Sequence, residues 1–432
     1  MGKNITMELM EFIDESPSPF HAVERVRREL EAAGYRALAE GEPWSIAPGE
    51  RCYVTRNGSS LIAFQVPVGT WKGFLLSASH SDSPTFQIKE NGELEGPENY
   101  LRLNTERYGG MLCAPWLDRP LSVAGRVLVR TAEGVESRLV KIDRDLLLIP
   151  SVAIHMNREA NNGLKYDPKT DMVPLFGTVE DKGKLRATVA EMVGAGETDL
   201  LGMDLFLYLR QRGSIWGAGM EFVSAPRLDD LQCAFGCLKG FLAAEPGESL
   251  PVYCLFDNEE VGSSTRQGAD SDFLQRTLER LCAVLGADYP VAAANSFLVS
   301  ADNAHAVHPN HPEYADPTHR PHLNGGVVIK HSASQRYTTD ALSQAVFTEV
   351  CRRAEVPVQH FANRSDLPGG STLGNIALAH ASLYSVDIGL AQLAMHSPYE
   401  TAGVMDTDYL IRAMAAYYSL SFAVDRDGRC CF

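Results

Sequence analysis

Apolar runs in this sequence repeatedly end in an acid or a histidine. The run FLLSASH ends at His80, with Asp82 two residues on; VYCLFDNEE ends at Glu259 and Glu260; FLVSAD ends at Asp302. Such runs suit buried strands, and in open α/β sheets ligands gather beyond the carboxyl ends of the strands. These five side chains are therefore expected to converge in one crevice. Histidine and carboxylates meeting there, with no thiolate required, suit zinc, cobalt or manganese.

The adjacent pair Glu259-Glu260 sharpens the chemistry. Two carboxylates at the end of an apolar strand repel each other, and burying both is costly unless a cation is present. With a metal, one glutamate can coordinate while the other takes up a proton from activated water. Asp229-Asp230 follows Pro-Arg-Leu and opens a helical stretch, and His396 lies in QLAMHSP. Each signal has a plain reading on its own: a solvated acidic loop, an aspartate capping a helix, a strand-end turn at His80-Ser81-Asp82, a core histidine. Their combination carries the argument.

The elements that must position these residues read as alternating strands and helices. A helix is expected from a Ser18 cap through Pro19 to a stop at Gly34, with Phe20, Val23, Val26 and Leu30 on one face. After Asp230, Leu231, Phe235, Leu238 and Leu242 mark a second helix, LPVYCLFDN a strand, and Phe273, Leu274, Leu278, Leu281 and Leu285 a third helix. SFLVSADN and GGVVIKHS are further strands, Leu342, Val346 and Val350 a helix face, and Leu410 to Val424 a final helix. The pattern predicts an α/β fold, an α/β/α sandwich with a largely buried sheet. Between 90 and 225 the texture changes to clustered β-formers such as GRVLVRT and a turn-rich stretch over 157–196, with no helical period before Asp199. This predicts a β-rich domain at 90–225 inserted between catalytic segments 1–89 and 226–432.

Composition narrows the class. With 39 Lys and Arg against 55 Asp and Glu, the formal net charge of −16 would repel a phosphate backbone, so no nucleic acid is expected as partner. The nine cysteines lie scattered, several in apolar runs, as buried thiols in a reducing compartment would. No run is long enough to span a membrane and no signal-type apolar segment is evident. A cytoplasmic protein with no membrane partner is expected.

The motifs SHSDSP, PRLDD, DNEEVGS, VSADNAHAVHPNH, NGGVVIK, QRYTTD and QLAMHS occur in this order. Together they resemble the M18 family of metallopeptidases, the aspartyl aminopeptidase group, and the resemblance runs from SPSPFHAV at Ser16 to beyond His396. It implies two divalent metal ions per subunit, zinc first, with cobalt or manganese also suited to the donors. Asp229 would bridge them, His80 and Asp302 would complete one site, and Glu260 and His396 the other. Glu259 would be the general base, with Asp82 and Asp230 supporting the ligands; Asp230 stands where eukaryotic relatives often carry asparagine. The resemblance further implies that the inserted domain dimerises and that the homo-oligomer is a closed dodecamer built from dimers. Its chambers would admit peptide substrates with free N-termini. His155 in SVAIHMN would reach the partner subunit's site. Lys330, closing GGVVIK, would pair with an acidic first residue, and Tyr337 of QRYTTD would also bind substrate. His305, His308, His311, His319 and His322 crowd a Pro- and Asn-rich stretch and are read as loop structure. The rival readings are a co-catalytic metallopeptidase of other specificity and a non-catalytic assembly protein. The presence of every expected ligand and of Glu259 argues against the latter.

Overall fold

The computed structural model describes residues 2–367 and 369–432 and is framed by a thirteen-stranded mixed sheet. Four parallel strands form its centre, in the spatial order Ser249–Phe256, Gly73–His80, Phe297–Ala301, Tyr384–Leu393. Because side chains alternate along a strand, the first three of these feed two cores. Leu75, Tyr253, Leu255 and Val299 enter one, and Phe74, Leu76, Val252, Cys254 and Leu298 the other. The first core is closed by helices Gly2–Glu15, Pro19–Ala32, Leu228–Ala243, Ala341–Arg353 and Asp406–Tyr418. The second is closed by Phe273–Leu285, Tyr289–Ala294 and Leu373–Leu378. The result is the expected sandwich.

Register decides where the chemistry emerges. Phe256 pairs with His80 and Ser300 with Ala78, so the three strands end nearly level. The residues following them, Glu259, Glu260 and Asp302, therefore leave the sheet at the same edge as His80.

A second, six-stranded antiparallel sheet runs in the order Gly134–Lys141, Leu121–Thr131, Leu200–Leu209, Thr85–Glu95, Tyr100–Tyr108, Leu175–Thr178. It has its own core around Phe86, Leu103, Trp116, Val127 and Leu205. Sheet membership puts its edges at Thr85 and Leu209 rather than at 90 and 225. Strands Ser214–Trp216 and Phe222–Ala225 instead join the large sheet through Glu400–Gly403. Strands of either sheet share one texture, so the sequence alone does not mark that border.

Local differences have local causes. A helix at Lys184–Met192 occupies the stretch expected to be turn-rich; Leu185, Val189 and Ala190 bury its short apolar face in the second sheet's core. Ser18 sits at the cap of Pro19–Ala32, but its hydroxyl pairs with His21 Nδ1 at 2.8 Å instead of a backbone N–H. The last helix ends at Tyr418, and Ala423–Arg426 turns back in a hairpin with Arg429–Cys431. Among the described residues, no helix is long and apolar enough to cross a membrane.

Candidate active site

His80 ends its strand almost fully buried, 1% exposed. Its Nε2 lies 3.4 Å from Asp229 Oδ1, and its Nδ1 lies 3.1 Å from the Asp82 carbonyl and 3.3 Å from Asp82 Oδ1. Asp229 sits in the first turn of Leu228–Ala243, where it and Asp230 depart from helical angles and the peptide bond between them is cis. Asp230 Oδ2 accepts the His80 N–H at 3.1 Å, which ties this turn to the strand end.

The second oxygen of Asp229, Oδ2, lies 3.4 Å from His396 Nε2, and that same nitrogen lies 3.4 Å from Glu260 Oε2. One carboxylate thus reaches a histidine with each oxygen. Ligand atoms of His80, Asp229 and Asp302 form one group within 4.8 Å of one another, and those of Asp229, Glu260 and His396 form another. Asp229 is common to both. A third group joins His80, Glu259 and Glu260.

Asp82 organises the glutamates. Its Oδ1 accepts the Glu259 N–H and its Oδ2 the Glu260 N–H, each at 3.2 Å. Tyr108 Oη donates to the same Oδ2 at 2.6 Å, a contact from the inserted sheet that nothing in the sequence pattern announced. Glu400 was also missed. Its Oε1 accepts the His396 N–H at 2.7 Å and its Oε2 the Asp229 N–H at 2.9 Å. An acid four residues after a histidine reads as an ordinary loop residue; only its burial, 1% exposed, reveals the clamp.

Asp302 follows its strand directly and faces Lys330. The Lys330 ammonium, 2% exposed, donates to the carbonyls of Asp302 at 2.7 Å and Asn303 at 3.2 Å, and lies 3.8 Å from Asp302 Oδ2. It also sits over the Tyr337 ring, 5.3 Å from the centroid. Lys330 and Tyr337 wall a cavity whose floor is His80, Asp229, Glu259 and Asp302. Lys330 is the one lysine or arginine among the described residues lining it. His305 corrects the loop reading: it ends a two-residue strand paired with Tyr384–Leu393, stacks edge-on against Phe361 and lines the same cavity. His308 and His319 line a neighbouring cavity, and His311 pairs with Glu313. His155 lies on an exposed turn and is not brought to this chain's own site.

The donor set fits divalent cations. Asp229 Oδ1, Asp230 Oδ1 and Glu260 Oε1 are buried without a hydrogen-bond partner, an expensive arrangement if nothing else meets them. Burial, reinforced by the charges of Asp302, Asp82 and Asp229 and opposed by His80, pushes Glu259 up to about 8. Burial also raises Glu260 and Asp302, with Asp229 adding repulsion in both cases. For Asp229 burial acts upward too, but His396 and His80 outweigh it and hold its carboxyl below the usual range. Positive charge placed among these groups would relieve the repulsion that raises them.

The sequence model of the Peptidase M18 family, described as aminopeptidase I zinc metalloprotease, matches residues 12–418. The probable M18 family aminopeptidase 2 of Clostridium acetobutylicum is 45% identical over 424 residues, spanning 96% of this chain and 98% of that protein. Its counterpart from Ectopseudomonas mendocina is 41% identical over 429 residues, spanning 97% and 99%. Among solved structures, Ape4 in its complex with Nbr1 matches with a TM-score of 0.93 and 34% identity, covering 96% of this chain and 86% of that one. The S. cerevisiae mApe1 dodecamer matches with a TM-score of 0.85 and 28% identity over 96% of each chain.

Proposed function

The chain belongs to the M18 family of aminopeptidases, and from that premise we propose that it uses two metal ions to release N-terminal residues, acidic ones in preference, from peptides. One observation carries the two-metal reading: Asp229 is shared by two of the three three-residue groups and directs its oxygens at His80 and His396. His80 and Asp302 would hold one ion and Glu260 and His396 the other, with zinc as the first candidate and cobalt or manganese suited to the same donors.

When bound, the ions supply positive charge that polarises the scissile carbonyl and eases deprotonation of water. Glu259, fixed through its N–H by Asp82, accepts the proton from the attacking water and returns it to the leaving amine. Asp82 and Glu400 hold the backbones of Glu259, Glu260, Asp229 and His396, so the side chains keep their mutual distances during turnover. Lys330 supports an acidic preference because it is the cavity's one ammonium or guanidinium among the described residues.

We place the protein in the cytoplasm as a homo-oligomer built from dimers, following the mApe1 dodecamer. Its nine free cysteines suit a reducing compartment. His155 is flanked by Val152, Ile154 and Met156, which are 59%, 47% and 83% exposed, so this turn offers apolar surface to a second subunit. Zinc titration of the metal-free protein tests the metal reading. Saturation at two equivalents, with both weakened in Asp229→Asn, is expected; saturation at one equivalent would sink it.

A further inference from the structure

The inserted sheet touches the site as well as the surface. Strand Tyr100–Tyr108 ends at the candidate metal centre, and the next four residues run alongside Glu260 and His396. Tyr108 is held by an edge-on contact with Phe206 of the strand Leu200–Leu209, ring centroids 5.6 Å apart. From there its hydroxyl donates to Asp82 Oδ2, the oxygen that receives the Glu260 N–H, and accepts from Asn258 Nδ2 at 2.9 Å. Gly109 lies against Glu260 itself. A Cβ on it would stand 3.1 Å from Glu260 Cβ and 3.3 Å from the Glu260 carbonyl, and its φ of +77° disfavours any side chain. A Cβ on Gly110 would stand 4.0 Å from His396 Nδ1, and the Leu112 N–H donates to the His396 carbonyl at 3.1 Å.

We propose that the segment Tyr108–Leu112 is a positioning element for the half of the site formed by Glu260 and His396, so that the inserted domain sets the affinity of one metal position. The asymmetry is the point. Gly109, Gly110 and Leu112 all meet Glu260 or His396, while Asp302 takes its support from Lys330 on the large sheet. Glu260 Oε1 has no hydrogen-bond partner of its own, so the packing of Gly109 against its Cβ and carbonyl is a main restraint on where that carboxylate points. A ligand whose orientation is left loose binds its ion less tightly, typically about 10–100-fold for outer contacts of this kind.

This inference rests on the two-metal reading, and the test separates the two. Metal-free wild type, Gly109→Ala, Tyr108→Phe and the strand control Glu106→Ala are titrated with zinc against a chromophoric chelator; Glu106 is 63% exposed and its carboxylate lies 4.0 Å from the Lys89 ammonium. Melting of each metal-free protein checks folding, and if Gly109→Ala does not fold, Tyr108→Phe decides. Gly109→Ala should weaken one binding step at least tenfold and leave the other within about twofold. Tyr108→Phe should move the same step by less, and Glu106→Ala neither. Equal weakening of both steps, or no change in either, overturns the positioning role while leaving two metals in place. A single step in the wild type overturns the two-metal reading and the half-site role with it.

Discussion

Replacing Lys330 with methionine separates its two jobs. The ammonium is a prop, because it donates to the carbonyls of Asp302 and Asn303, and it is a charge facing the substrate cavity. An ammonium and a carboxylate at contact distance attract by about 4 kcal/mol at an effective dielectric of 20. Asp302 Oδ2, 3.8 Å away, already engages the same charge. A net preference of about 2 kcal/mol for an acidic first residue over its amide is what remains, or roughly 30-fold in kcat/KM. The assay compares Asp and Asn as first residue of otherwise identical short peptides. Lys330→Met should lower both rates, since each carbonyl left without a donor costs about 1–3 kcal/mol. It should also bring their ratio close to one. The ratio is internal to one protein preparation, so loss of fold or metal cancels from it. A variant that is slower but keeps the wild-type ratio would show that Lys330 is only a prop, and the charge argument would fail.

Glu400→Gln leaves one acceptor for two N–H groups, those of Asp229 and His396. Zinc affinity should fall about 10–100-fold, measured by chelator competition. Unchanged affinity would show that the clamp does not position the ligands. His21 is buried, and burial, aided by Lys141, Arg227 and Arg28, lowers its pKa from 6.5 to about 4. The unfolded chain therefore binds a proton first, and stability falls as pH drops from 6.5 towards 4, by about 2 kcal/mol at pH 5. Urea midpoints at pH 7 and pH 5 should shift less in His21→Gln than in the wild type; an equal shift would remove His21 from the acid response.

Much of the site was legible because strand ends are legible. The apolar runs ending at His80, Phe256 and Ala301 are strands in parallel register, and parallel register brings the residues beyond them to one edge. Asp229 and Asp230 could be placed at the start of a helix, though not their departure from helical angles. What escaped were contacts between segments distant in sequence. Tyr108 reaches Asp82 from another sheet, and Glu400 joins Asp229 to His396 across 171 positions of chain. Neither has a local signature, since an isolated tyrosine or glutamate looks the same whether exposed or central. The helix Lys184–Met192 escaped for a different reason: it buries only Leu185, Val189 and Ala190, too short a stripe to stand out among polar residues. His305 was hidden by its company, four other histidines in one irregular stretch.

The most direct measurement is steady-state hydrolysis of a panel of N-terminal amino-acid amides and short peptides by zinc-loaded wild type and Glu259→Gln. The account predicts release of first residues by the wild type, Asp and Glu fastest. It predicts zinc binding unchanged in Glu259→Gln, and kcat reduced by about 10²–10⁴ with KM little altered. Wild-type rates in Glu259→Gln, or no metal-dependent release from any free N-terminus by the wild type, would contradict it.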